Sequence, residues 1–217
     1  MPENKPLWYW DDNVKRYRSP ETGRFVGVDE MNALRAQFLT QQKQTLSGLT
    51  TVYASDTINF KVYRKEVVNT IRQTYIDMYV MGKGGRNNMT QSDWGKVGAM
   101  LKEQYKYLNP FMDQIEAGQL SEAQIVARLN MYINSASEAF WRGYASDIPL
   151  DLPAYPGDGS TTCLVNCQCM WDIQRVPNGY DCYWMLGPAE HCPDCLVRAG
   201  EWNPYKIRIT GEASNAS

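Results

Sequence analysis

Apolar residues recur at three- and four-residue steps through most of the first two thirds of this chain, a spacing that predicts amphipathic helices. Met31, Leu34, Phe38 and Leu39 share one side of a segment opened by Asp29, predicting a helix over 29–44, after which 47–57 reads as a break. Phe60, Val67, Ile71, Tyr75, Met78 and Tyr79 form the stripe of a second helix, ended by Gly82-Lys83-Gly84-Gly85 and Asn87-Asn88. That glycine run is not a phosphate loop, because no Gly-Lys-Ser/Thr follows and a helix precedes it. Thr90 and Asp93 have the spacing of a capping box ahead of Val97, Leu101, Tyr105 and Leu108, and Pro110 is expected to kink or close that helix. Ser121 and Gln124 repeat the box ahead of Ile125, Leu129, Tyr132, Ile133, Ala136 and Phe140. Short polar connections imply antiparallel neighbours, so 29–148 is expected to be a helical bundle of roughly three or four long helices.

The period changes on either side of the bundle. Residues 1–28 read as an irregular arm, with 15–26 forming a short hairpin around Ser19-Pro20-Glu21-Thr22-Gly23. Four basic residues gather there: Lys15, Arg16, Arg18 and Arg24. Prolines and glycines over 149–160 (Pro149, Pro153, Pro156, Gly157, Gly159) look like a linker. Beyond it, Met170 to Ile173 and Tyr180 to Leu186 read as two arms of a β-hairpin around Asn178-Gly179. A short helix is expected over 191–200, a last arm from Pro204, and a disordered tail at 211–217.

The cysteines change the picture most. All six lie between Cys163 and Cys195, and five of them form two groups, Cys163, Cys167 and Cys169, then Cys192 and Cys195. The groups flank the predicted hairpin, which would bring them together as a tetrahedral soft-metal site. A tail of this size, poor in aliphatics, has a small core, and a structural zinc ion contributes on the order of 10–16 kcal/mol of apparent binding free energy. The expected architecture is mainly α, a helical bundle followed by a small zinc-stabilised β-hairpin module over 161–210. Cys192 and Cys195 are the firmest ligand pair; two of Cys163, Cys167 and Cys169 would complete the set. Cys182, inside Asp181-Cys182-Tyr183-Trp184, reads as a buried inert thiol. His191, the only histidine, stands beside Cys192 as an alternative ligand, but reads rather as lying outside the ligand shell or on the surface.

Composition narrows the function classes. A formal charge of −2 offers no whole-chain attraction to nucleic acid. The N-terminus has no apolar leader and no apolar run reaches about 18 residues, so an intracellular setting with reduced thiols is expected and a membrane span is not. A disulfide framework is the rival. An all-thiolate set points to a closed structural site, since catalytic zinc keeps an open position beside His or carboxylate ligands. Glu66, Asp77, Glu103, Asp113 and Glu116 fit polar helix faces, and His191 alone is left for Cys-His catalysis. A non-enzymatic role is therefore expected. The chain holds 14 Tyr and 7 Trp, and several that lie in loops and termini (Trp8, Tyr9, Trp10, Tyr17, Trp202, Tyr205) read either as local packing or as contacts with partner chains, as do Trp171 and Trp184 in the hairpin.

Asn166-Cys167-Gln168-Cys169-Met170-Trp171 and Cys192-Pro193-Asp194-Cys195, behind a helical domain, resemble the C-terminal module of head-morphogenesis (minor head, minor capsid) proteins of tailed bacteriophages. The segment from Arg16 to Val26 is also similar to phrases in phage structural proteins. Here the two groups come in reversed order, and Cys163 stands four places ahead where the family has a histidine three ahead. The resemblance implies a few-copy structural protein of the virion, present in the host cytoplasm during assembly. It implies contacts with portal, scaffold or major capsid subunits, with packaged DNA as a further partner. The alternative, from another class, is a zinc-ribbon nucleic-acid-binding module using Arg175, Arg198, Lys206 and Arg208.

Overall fold

The structure, a computed structural model, describes residues 8–11, 13–14, 16–188 and 190–209. Lys15, the first seven residues of the expected arm and the expected tail at 211–217 lie outside the described residues. The architecture is mainly α. Four long helices, α1 (Val28–Ala54), α2 (Phe60–Gly82), α3 (Gln91–Glu116) and α4 (Glu122–Tyr144), precede a small antiparallel sheet.

Local capping starts α3 and α4 where the spacing predicts. The Thr90 hydroxyl accepts from Asp93 N at 3.2 Å while the Asp93 carboxylate accepts from Thr90 N at 2.9 Å; Ser121 and Gln124 make the same reciprocal pair. Helix α1 corrects the expected break at 47–57. It runs on to Ala54 because Leu46 and Thr50 are buried, with the Thr50 hydroxyl 2.8 Å from Leu46 O and 3.0 Å from the Tyr63 hydroxyl. Tertiary burial outweighs the weak helix preference of the Ser/Thr/Gly-rich stretch. Pro110 does not close α3, which continues to Glu116 with Phe111, Met112 and Ile115 buried beyond it.

Helices adjacent in sequence pack antiparallel. Tyr53 stacks on Tyr63 at 4.5 Å, Arg64 pairs with Asp113 at 2.9 Å, and Phe111 meets Tyr132 at 5.9 Å. The most extensive helix–helix contact, however, joins α2 to α4, which lie parallel. Tyr75 meets Ser135 at 2.6 Å, and further along both helices Gly82 and Gly143 let the two backbones touch. A Cβ at Gly82 would lie 2.0 Å from Phe140 O, and one at Gly143 would lie 2.3 Å from Tyr79 O. The buried tyrosines carry hydroxyls into this core, each with a partner: Tyr63 to Thr50, Tyr75 to Ser135, and Tyr79 to Asp93 at 2.9 Å.

The expected hairpin around Ser19–Gly23 is present, with a bridge from Arg18 to Phe25 and backbone bonds of 2.9 Å from Val26 N to Tyr17 O and from Ser19 N to Arg24 O. Strand β2 (Arg16–Arg18) also pairs with β1 (Tyr9–Asp11), a partner the sequence did not suggest. Arg18 ties the two pairings together, since its guanidinium bonds Asp11 at 2.6 Å and lies 4.3 Å from the Phe25 ring centre. The arm is also more than a surface appendage. Trp8 is 1% exposed, meets Phe140 edge-on at 6.2 Å and donates from Nε1 to Met81 O at 2.9 Å. Trp8→Ala is therefore expected to destabilise the fold by about 3–5 kcal/mol, measurable as a lower denaturation midpoint.

After α4, residues 149–160 contain no helix or strand, yet Leu152, Ala154 and Tyr155 are buried. Trp171 Nε1 donates to Ala154 O at 2.9 Å, so the segment is tied to the sheet beyond it. Strands β3 (Met170–Val176) and β4 (Gly179–Met185) form the expected hairpin, but its two-residue loop is Pro177-Asn178 rather than Asn178-Gly179, because Gly179 already pairs with Val176. Gly179 begins β4 at φ 141, where a Cβ would lie 2.0 Å from Ile207 O. Helix α5 (Pro193–Glu201) and strand β5 (Tyr205–Arg208) complete the module, giving strand order β3-β4-β5.

Candidate metal centre

The two cysteine groups arrive from opposite sides of the hairpin. Cys163 precedes a 3-10 turn (Leu164–Asn166), Cys167 and Cys169 follow it in extended backbone leading into β3, and Cys192 and Cys195 sit at the start of α5. Cys192 is the N-cap of that helix, and Pro193 supplies its first residue without leaving an amide unpaired. One carboxylate joins the two sides. Asp194 accepts from both Thr162 N and the Thr162 hydroxyl, each at 2.7 Å.

All five predicted ligands converge. Cys163, Cys192 and Cys195 have ligand atoms within 4.8 Å of one another, as do Cys167, Cys169 and Cys195. Cys195 belongs to both triads. Two sulfur pairs, Cys167 with Cys195 and Cys163 with Cys192, stand at 3.7 Å. Thiolates bound to zinc at about 2.3 Å are separated by about 3.8 Å along each edge of the tetrahedron, so these spacings fit the ion. Cys167, Cys169 and Cys195 are buried, whereas Cys163 and Cys192 are partly exposed.

Electrostatics also favour a cation. Hydrogen bonding from Cys167 holds the Cys169 thiol below its ordinary pKa, and Cys167 is pushed up as the donor in that pair. Burial raises Cys195 and Cys163. Burial also works against ionisation of Cys192, but amide and thiol hydrogen bonds from Cys195 and Cys163 outweigh it and lower the thiol to about 7. Sulfurs this close suppress one another's ionisation, and a divalent cation removes that conflict.

The remaining candidates fall outside the cluster. Cys182 is fully buried on β4, with burial pushing its thiol up to about 11, the environment of an inert core cysteine. His191 belongs to neither triad. Trp171, Trp184 and Trp202 pack together, Trp171 stacking on Trp202 at 5.5 Å and meeting Trp184 edge-on at 5.1 Å. With Tyr205 against Trp202 at 6.3 Å, these aromatics form the module's own core. Of the four basic residues, Arg198 lies 5.2 Å from the ring centres of Trp184 and Trp202, and Arg208 pairs with Asp181 at 2.7 Å. Both have work inside the module.

No family model, curated protein or solved structure matches this chain. The site must therefore be read from its own chemistry. Among the described residues, no helix is long and apolar enough to cross a membrane. Sequence spacing found the five thiols but missed two supporting features. The Thr162–Asp194 clamp depends on loops separated by the whole hairpin. Arg35, on α1, faces the cysteine module from more than a hundred residues away in sequence and leaves no local signal.

Proposed function

We propose that the cysteine cluster holds one structural zinc ion, and that the chain is a non-enzymatic minor head protein of the phage type. The observation that supports zinc is the sulfur-only donor set, with 3.7 Å between Cys167 and Cys195 and between Cys163 and Cys192, and Cys195 common to both triads. The four ligands are drawn from Cys163, Cys167, Cys169, Cys192 and Cys195. Bound zinc would supply charge neutralisation and a rigid cross-link between the loops before β3 and the start of α5. The residues themselves orient that cross-link through the Thr162–Asp194 clamp and the tryptophan core.

The head-assembly part of the reading rests on the likeness of the Asn166–Trp171 and Cys192–Cys195 elements to those of phage minor head proteins. It assigns the chain to the virion, and to the host cytoplasm during assembly, with portal, scaffold or major capsid subunits as partners. Internal use of Arg198 and Arg208 leaves the nucleic-acid alternative with a weaker basic surface.

Elemental analysis of purified protein is expected to find about one zinc per chain, and chelation to release it with loss of the module's fold. Protein without zinc or iron, whose fold survives chelators, would overturn the zinc reading. Co-expression with the portal, scaffold and major capsid proteins encoded in the same genome tests the assembly reading separately. A stable complex with one of the three is expected, and none with any of them would sink it.

A further inference from the structure

A cleft of about 750 Å³ separates α1 and α4 from the loops that carry the cysteines. Arg35 lines it and is only 8% exposed, with its guanidinium carbon 4.9 Å and 4.8 Å from the ring centres of Phe140 and Trp141. Those rings, 5.0 Å apart and edge-on to one another, lie to one side of the guanidinium and accept none of its in-plane hydrogen bonds. Its Nη1 is buried without a hydrogen-bond partner. A buried cation is ordinarily paired, and guanidinium presents its donors in a fork that matches a planar or tetrahedral oxyanion.

Other donors surround the same space. Lys43 lies two turns further along α1, half-buried on the cleft wall. Asn134 and Asn166, joined at 2.7 Å, line the opposite side, so amide groups from α4 and from the cysteine loop meet there. One carboxylate, Asp29, stands on the cleft wall. A concave site with a few convergent polar groups and one desolvated cation is the usual form of a small-ligand pocket.

We propose that this cleft is a binding site for a small oxyanion, a carboxylate or phosphate group, which Arg35 grips from the bundle side and Lys43 assists. The reading stands apart from the zinc assignment, because Arg35 lies on α1 and its unmet hydrogen-bonding capacity does not depend on what the cysteines hold. Cys167 also lines the cleft, and its sulfur, once ionised by a bound metal, would attract the Arg35 charge. The rival occupant is therefore the sulfur cluster itself, with Arg35 as its counter-charge.

Titration of the full-length, metal-replete protein with sodium phosphate, and separately with sodium acetate, against sodium chloride at matched ionic strength tests the proposal. Amide NMR shifts provide the readout. A saturable shift at Arg35, Asn134 and Asn166 with either oxyanion is expected, and the comparison distinguishes a tetrahedral from a planar preference. Arg35→Gln is expected to weaken that binding about tenfold or more, and Lys43→Gln about two- to threefold. Should Arg35→Gln fail to fold, the wild-type titration and Lys43→Gln still decide. Absence of saturable shifts with both anions, or unchanged affinity in Arg35→Gln, would overturn the site. A change in the thiolate–metal absorption of the cobalt-substituted Arg35→Gln protein, without anion binding in the wild type, would overturn it in favour of the counter-charge role.

Discussion

Cys195→Ser is expected to be the most damaging of the single cysteine replacements. Its sulfur belongs to both triads, so no choice of three partners from the cluster leaves it peripheral. Apparent binding of a structural zinc is worth on the order of 10–16 kcal/mol, and losing a shared ligand should forfeit most of it. The variant should lose its zinc, show fast hydrogen exchange across β3, β4 and β5, and change the fluorescence of the packed Trp171, Trp184 and Trp202. Cys163→Ser or Cys169→Ser should cost less, since five thiols exceed the four that zinc needs. Cys182→Ala should leave zinc content untouched, its buried sulfur standing apart from both triads. Retention of metal by Cys195→Ser with wild-type chelator resistance would refute the shared role of this sulfur.

The second large effect concerns the bundle. Gly143→Ala should destabilise it by about 3 kcal/mol or more, because the new methyl group would stand 2.3 Å from Tyr79 O and force α2 and α4 apart. Gly82→Ala meets Phe140 O at 2.0 Å and should behave alike. Gly95→Ala and Gly98→Ala, on α3 with open space at the Cβ position, should instead gain up to about 1 kcal/mol from helix preference. Urea denaturation of the four variants reads the opposite signs directly. Equal and stabilising effects for Gly143 and Gly95 would show that the helices do not meet at the glycines.

Both effects show how far local signals reach. Three- and four-residue spacing found α2 and α4 with their inward faces, and the Thr90/Asp93 and Ser121/Gln124 pairs marked helix starts because a capping box closes within four residues. The cysteine groups were legible because their separation is bridged by a hairpin whose arms and turn are themselves local. Errors occurred where distant burial decided. The stretch after Ser47 looks like a break in sequence, yet Tyr63 covers Thr50; Pro110 looks like a stop, yet Phe111 and Met112 anchor the helix beyond it. Trp8 gave no hint that it fills the space beside Phe140.

By itself, the order of residues determined which segments coil, where they begin, and that five thiols would converge behind them. Tertiary structure alone decided that α2 and α4 run parallel in contact through two glycines, that Cys195 is shared, and that Arg35 is buried facing the cysteine loops. The reason is range. Hydrogen bonding and amphipathic periodicity act over a few residues, whereas close packing and charge burial depend on which surfaces meet, and residues far apart in the chain share no local pattern that records the meeting.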